Sequence, residues 1–389
     1  MYTEREIKDK FEKVSGVYPI VAVVGARQAG KTTFLKEQIK EKKSSYLLFD
    51  DPDVRQLFEE DIKKFENQYI SEKEVSVLDE VQYCKDPGRK LKYLADSGRK
   101  LWITSSSEII LSKKVLSYLV GRVSIIKLYA FSLKEFLKLK KQKEFTKEIL
   151  ERIIWEHATY GGYPKVGLVD DVELKKIILK DLYDTMVLKD IARTFSIDDI
   201  DSLERFVKHL SLNIGGIASY DRLANDLNLS FQTIKKYADA MEKSYLIARI
   251  YPFFNNKTKE IIKQPKIYFL DTGVRNVISK EFPNELEGKL FENYVLSELI
   301  KAGFSVKYWR TKTGSEVDFI IEKDSEVIPV EVKLSSDANS LGGLNSFIKI
   351  YKPKKAFVVF YKGKTSKSRI DGCEIFYVNI FDLISSHLK

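Results

Sequence analysis

The clearest chemistry in this chain lies where Lys31 and Thr32 close the run Gly25, Ala26, Arg27, Gln28, Ala29, Gly30, Lys31, Thr32. The spacing is G-x-x-x-x-G-K-[ST], preceded by the apolar run Ile20 to Val24 and followed by a helical pattern that begins at Thr33. Glycines let such a loop turn its amide groups inward onto phosphate oxygens, and the helix that follows adds the positive end of its dipole. In that geometry Lys31 reaches the β- and γ-phosphates and the Thr32 hydroxyl ligates Mg²⁺. A second apolar run, Val75 to Leu78, ends in Asp79 and Glu80. On a neighbouring parallel strand, Asp79 would hold Mg²⁺ through water and Glu80 would orient and deprotonate the attacking water. The two stretches together imply binding and hydrolysis of ATP. Thr104, Ser105, Ser106 and Ser107 end the next apolar run, where hydroxyls either sense a γ-phosphate or serve turn and cap chemistry. Arg122, after Gly121, is either a transition-state arginine or a surface ion-pair partner.

A second set of carboxylates lies near the other end of the chain. Residues 317–321 and 327–333 alternate as strands around 322–325, which is suited to a turn, so a hairpin is expected. With Glu322 paired to Ser325, Asp318 lies opposite Pro329, and the two-residue period puts Glu331 on the same face, diagonal to Asp318. That diagonal is roughly 7–8 Å between backbones, near enough for both carboxylates to share Mg²⁺ or Mn²⁺. Lys333 shares the face and would stand beside the metal. The same register sets Glu316 opposite Glu331, a pairing of like charges that calls for a cation. The helix expected from Gly288 carries Glu292 and Glu298, and periodicity does not choose between them. The set is either a metal-binding catalytic site or a degenerate one that only binds.

Between these sites, 221–227 and 231–241 read as two helices around a tight turn, with Ser230 as N-cap of the second. Ile234, Tyr237, Ala238 and Met241 form its buried stripe, leaving Gln232, Thr233, Lys235, Lys236 and Asp239 outward. That face suits a DNA major groove. Strands at 245–254 and 260–270, joined around Asn255, Asn256 and Lys257, would make a wing with lysines at its tip. The same winged helix serves equally for protein packing, because the outer face mixes Lys with Asp.

The elements that must position these residues follow from pattern. Short apolar runs alternate with helical stretches from 20 to 128, which indicates a parallel sheet with helices on both faces. The fold class expected is α/β: a P-loop parallel-sheet ATPase domain over 1–137, a helical and winged-helix domain over 138–279, and a further α/β domain over 280–389. The 389 residues, 44% hydrophobic and 31% charged, are long enough for such domains, each with a core of its own. Cys84 and Cys373 lie far apart without Cys or His companions, which excludes a disulfide framework and a zinc ribbon and fits a reducing compartment. Neither a signal peptide nor an apolar run approaching ~20 residues is present, so a cytoplasmic protein without a membrane partner is expected. His157, His209 and His387 fall in no nucleophile or metal spacing and read as structural. The formal charge of +10 favours polyanionic partners, DNA among them, although a solvated lysine-rich surface would give the same number. Nothing in the pattern decides whether the chain forms a homo-oligomer.

These residues carry a resemblance to the AAA-like ATPases of bacteria and archaea that are fused to a C-terminal domain of unknown function with a restriction-endonuclease-like end. The matching stretches are 25–33, 78–82, Gly121 with Arg122, 131–136, 161–164, 266–273 and 314–333, which together span nearly the whole chain. The resemblance implies an order of ATPase, helical, winged-helix and nuclease-like parts. It also likens Asp318, Glu331 and Lys333 to the Asp, Glu-x-Lys core of restriction-endonuclease-like nucleases, whose lysine helps to position or activate water. For the helix carboxylate it favours Glu292. Ser105 stands where the resemblance leads one to expect glycine in a Thr-Gly-Ser-Ser stretch, which leaves the sensor hydroxyl open.

Overall fold

A computed structural model describes residues 2–106, 115–142, 145–186, 191–254, 263–337 and 341–388. The chain divides into two compact units, one of Met1–Phe131 with Thr185–Ser196 and Lys243–Tyr245, the other of Ser132–Asp184, Ile197–Glu242 and Leu246–Lys389.

In the first unit the apolar runs form five strands, β1 (Ile20–Val24), β2 (Ser44–Leu48), β3 (Val75–Asp79), β4 (Leu101–Ser105) and β5 (Val123–Lys127). They make one parallel sheet in the order β2-β3-β4-β1-β5. Every residue of β1, β3 and β4 is buried, as expected for central strands with covered faces. Val21, Val23, Val75, Val77, Trp102 and Ile126 pack on one face against Phe11 of the helix Lys8–Val17 and Phe34 and Leu35 of the helix Lys31–Gln38. Each such side chain contributes roughly 1.5–3 kcal/mol of burial. The order corrects one expectation. β3 is not the hydrogen-bonded neighbour of β1, because β4 lies between them.

The second unit is helical in its first half and carries a sheet in its second. The helix Lys147–Tyr160 is locked to the helix Thr272–Ser279 by two glycines. Gly161 has φ 77°, and a Cβ there would lie 2.1 Å from Oδ1 of Asp271; a Cβ on Gly273 would lie 2.2 Å from the Tyr160 carbonyl. Asp271 uses the close approach to accept hydrogen bonds from the amides of Gly162 and Val274, at 2.8 and 3.0 Å.

Helices Tyr220–Leu227 and Phe231–Lys243 follow, and Ser230 Oγ caps the second by accepting from the Thr233 amide at 3.0 Å. Ile234, Tyr237, Ala238 and Met241 are buried as the stripe requires, joined by Ala240. Strands β6 (Ile247–Ile250) and β7 (Lys266–Phe269) pair antiparallel. The tip expected at Asn255, Asn256 and Lys257 lies outside the described residues.

The final sheet has six strands: β8 (Val306–Arg310), β9 (Glu316–Lys323), β10 (Glu326–Ser335), β11 (Lys355–Lys362), β12 (Ser366–Ile370) and β13 (Cys373–Asn379), in the order β12-β13-β11-β10-β9-β8. The sheet is mixed: β10, β11 and β13 run parallel, while β8, β9 and β12 pair antiparallel to their neighbours. The β9–β10 hairpin turns on two residues, Asp324 and Ser325, with φ 49° and 66°, so that Lys323 pairs with Glu326. The expected register also leaves a two-residue loop, at Lys323 and Asp324, but the pair of left-handed residues that such a loop favours falls on Asp324 and Ser325. The register is therefore displaced by two residues from the expected one. A shift of two preserves faces, and Asp318 and Glu331 stay on one side.

Candidate functional site

The phosphate-binding loop leaves β1 with its first glycine pressed against the chain: a Cβ on Gly25 would lie 2.0 Å from the Leu128 carbonyl oxygen. Gln28 and Gly30 adopt left-handed φ of 57° and 99°, and the helix Lys31–Gln38 starts directly after. Arg5 braces the loop from the N-terminal segment, donating to the carbonyls of Ala29 at 2.8 Å and Tyr129 at 2.6 Å. Arg27 donates to the Tyr83 hydroxyl at 3.0 Å. Lys31 is 6% exposed, and its ammonium donates to the carbonyls of Gly25 and Ala26 at 2.9 and 2.8 Å. Ala26 and Ala29 are buried, and Thr33 is exposed on the first helical turn.

Although β4 separates β1 from β3, the loop brings Thr32 back to the acidic strand. Its hydroxyl donates to Asp79 Oδ2 at 2.8 Å. Two further hydroxyls, of Tyr46 on β2 and Thr104 on β4, also donate to this carboxylate. Thr104 Oγ1 accepts from the Glu80 amide at 3.0 Å, so the intervening strand fixes both acidic residues. Glu80 is half-buried with a left-handed φ of 59°. Burial pushes its carboxyl above the ordinary range, opposed by the Lys31 ammonium and by the Gln82 amide that donates to it. A carboxylate oriented by an amide beside a lysine and a hydroxyl–carboxylate pair is what phosphoryl transfer to water requires: a base, a phosphate clamp and Mg²⁺ ligands.

Ser105 and Ser106 are buried and Ser107 lies outside the described residues. Arg122 does not join the site of its own chain. It precedes β5, and Ile20, at the start of β1, pairs with Val123, whereas the loop follows the other end of β1. Strands of this length separate their ends by roughly 13 Å. Its guanidinium instead pairs with Asp96 at 2.6 Å. Sequence reasoning missed Tyr46 and Arg5, which belong to no local pattern, and assigned no role to Gln82 although it lies within the 78–82 stretch.

In the second unit Asp318 Oδ2 accepts from the Val332 amide at 2.8 Å, and extension of the β9–β10 ladder sets Asp318 across from Glu331. Lys333 donates to Glu331 Oε1 at 2.8 Å, while Oε2 is buried without a hydrogen-bond partner. Of the two helix carboxylates, Glu292 neighbours this pair. Glu298 serves elsewhere, accepting from the Leu133 amide at 2.7 Å and pairing with Lys301 at 2.8 Å. Glu292 is held by the Tyr268 hydroxyl at 2.5 Å, Lys289 at 2.7 Å and Lys266 at 3.7 Å.

The displaced register removes the expected pairing of Glu316 with Glu331. Extended in the same way, the ladder sets Glu316 across from Lys333, and Glu316 pairs with Lys266 and, at 3.6 Å, with Arg310. Facing like charges therefore arise at Asp318 and Glu331 instead. Burial, first, and the neighbouring carboxylates, second, push Asp318 up to about 8. Burial also raises Glu331, against the pull of Lys333. On the helix Phe231–Lys243, Gln232, Lys235 and Lys236 are exposed and Thr233 is half-buried. Asp239 pairs with Arg249 at 2.7 Å, which takes it out of the outward face.

The parallel sheet, the glycine-bounded loop and the Thr32–Asp79 pair define a P-loop nucleotide-binding domain. Comparison with known proteins agrees: the model of a family described as an AAA domain matches residues 17–137. It is followed by matches to two domains of unknown function, DUF8612 over 151–285 and DUF4143 over 287–381. The N-terminal part is thus a P-loop ATPase domain of the AAA type. A protein of Haemophilus influenzae is 27% identical over 383 residues, 92% of this chain and 93% of its own length. One of Methanocaldococcus jannaschii is 29% identical over 337 residues, 81% of this chain and 75% of its own. Both are described only as uncharacterized. Among solved structures, a Walker-type ATPase of Pyrococcus abyssi is similar, with 14% identity, a TM-score of 0.49 and coverage of 71% of this chain and 96% of that one. The Aeropyrum pernix ORC2 protein has 10% identity, a TM-score of 0.40 and coverage of 77% and 95%. No helix among the described residues is long and apolar enough to cross a membrane.

Proposed function

We propose that this ATPase acts on DNA, and that ATP hydrolysis in the N-terminal domain controls a metal-dependent, nuclease-like domain over 280–389. At the first site, Gly25 to Thr33 would cradle the phosphates of ATP, Thr32 and Asp79 would hold Mg²⁺, and Glu80 would take the proton of the attacking water. The helix Phe231–Lys243 and the β6–β7 pair support a winged-helix reading of 138–279, in which Gln232, Thr233, Lys235 and Lys236 face DNA.

The observation that carries the nuclease reading is the Glu331 carboxylate, 8% exposed, with one oxygen on Lys333 and the other without a partner across from Asp318. A buried unpaired carboxylate oxygen is costly, and a hard divalent cation is the ligand that would satisfy it. Mg²⁺ or Mn²⁺ held there by Asp318 and Glu331 would polarise a phosphodiester and acidify water. Lys333 would hold Glu331 in place and face the phosphate, and Glu292 would complete the set. As the side chains stand, no three His, Cys, Asp or Glu residues among those described are grouped to hold a metal. That observation favours a second reading, in which the C-terminal domain is catalytically inactive and the chain is an ATP-switched binding or signalling protein.

Incubation of labelled single-stranded, duplex and branched DNA with Mg²⁺ or Mn²⁺, with and without ATP, separates the two. Cleavage that is lost in Asp318→Ala and Glu331→Ala supports the nuclease. If no DNA form is cut under any condition, the switch reading takes its place.

A further inference from the structure

Lys266 is the most deeply buried ammonium in its surroundings, 2% exposed, on the short strand β7. Lysine is seldom buried this far unless its charge is compensated. Here the compensation comes from two glutamates of different elements, Glu316 of β9 and Glu292 of the helix Gly288–Lys301. Tyr268, two residues along β7 and on the same face, donates to the Glu292 oxygen that Lys266 also approaches. Glu292 is thereby turned toward β7. It is the carboxylate that a divalent ion between Asp318 and Glu331 would need as its third protein ligand, and Glu331 still keeps a buried oxygen without a partner.

We infer that Lys266 is a tethered cation that supplies, from within the fold, the positive charge a divalent metal would bring to this carboxylate cluster, and that it holds Glu292 away from metal coordination. The inference rests on the reading of Asp318 and Glu331 as a cation site and adds an autoinhibitory contact to it. An ammonium and a divalent ion compete for the same oxygens, because each needs carboxylates desolvated on its own side. With the ammonium in place, Asp318 and Glu331 can offer only two ligands and bind the metal weakly. When Glu292 and Glu316 lose their buried partner they keep Lys289 and Arg310, but the cluster is one positive charge poorer, and oxygen-ligated divalent ions are the partners that restore the balance.

The test is Mn²⁺ binding to the full chain without nucleotide, read from the electron paramagnetic resonance signal of free Mn²⁺. An Asp79→Asn background silences the N-terminal site. Lys266→Met is expected to bind at least tenfold more tightly than the parent, Lys266→Arg no better than the parent, and Lys266→Met with Glu331→Gln not measurably. Should Lys266→Met fail to fold by circular dichroism, Lys266→Gln, which keeps a donor for Glu316, carries the same expectation. Equal affinity of parent and Lys266→Met, lost in both on Glu331→Gln, overturns the role of Lys266 and leaves the metal site standing. Absence of binding in every protein, or binding that survives Glu331→Gln, overturns both.

Discussion

Glu80 pairs an unusual backbone with an unusual environment. A non-glycine residue in the left-handed region costs about 1–3 kcal/mol and persists only where its surroundings over-determine it; here the Thr104 hydroxyl fixes its amide and Gln82 its carboxylate. Glu80→Gln should therefore keep ATP binding while slowing hydrolysis roughly 10²- to 10⁴-fold, the range for loss of a positioned base. Lys31→Ala should lose nucleotide binding itself. Fluorescent-nucleotide titration and phosphate release measure the two effects, and unchanged turnover in both variants would sink the assignment. Gln82→Leu removes a donor that favours the ionised form of Glu80, so the carboxyl rises further. A protonated base cannot accept the proton of water, and the acid limb of kcat/KM must then move to higher pH. A limb that stays put, or moves to lower pH, would exclude Glu80 as the base.

At the scale of elements, the stretches that carried the resemblance outside the ATPase turn out to include a packing device. Residues 161–164 and 266–273 meet where Gly161 and Gly273 let the helix Lys147–Tyr160 approach the helix Thr272–Ser279. Gly161→Ala would place its Cβ on the Asp271 carboxylate and force an alanine to φ 77°. It should destabilise the chain by about 2–4 kcal/mol, combining backbone strain with weakened hydrogen bonds to Asp271. Urea unfolding should show a lower midpoint. A midpoint within error of the parent would mean that the two helices separate without cost.

For the molecule as a whole, the phosphate loop and the Asp318–Glu331 pair belong to different compact units. Sites that share no partners behave additively, so Asp318→Asn should leave basal ATP hydrolysis within about twofold while it removes any cleavage of DNA. The same residue gives stability a pH dependence. Asp318 is raised to about 8 when folded, against about 3.9 for an unperturbed aspartate. Between these values the folded chain holds a proton that the unfolded chain has released. This contribution is present in full below the unfolded value and is lost as pH rises through about 8. Asp318→Asn should flatten that decline in urea midpoints, and an unchanged slope would place the titration elsewhere.

Much of this was legible from local pattern. The phosphate loop is eight consecutive residues whose geometry is set by its own glycines, and an apolar run that ends in two acids marks its strand wherever that strand lies. Ser230 and the stripe from Ile234 to Met241 are equally local, since caps and helical faces depend on neighbours a few residues away. The face shared by Asp318 and Glu331 survived a wrong register because side-chain direction depends on parity alone. What tertiary structure decided depends on partners far apart in sequence. It set β4 between β1 and β3, put the Tyr46 hydroxyl on Asp79 and left Arg122 at the far end of its strand. It gave Glu298 to the Leu133 amide and Glu292 to the carboxylate pair, and it drew Lys266 into that cluster. Periodicity tells which way a side chain points along its own element, but the group it meets there is chosen by how separate elements pack and by which charges can be buried together.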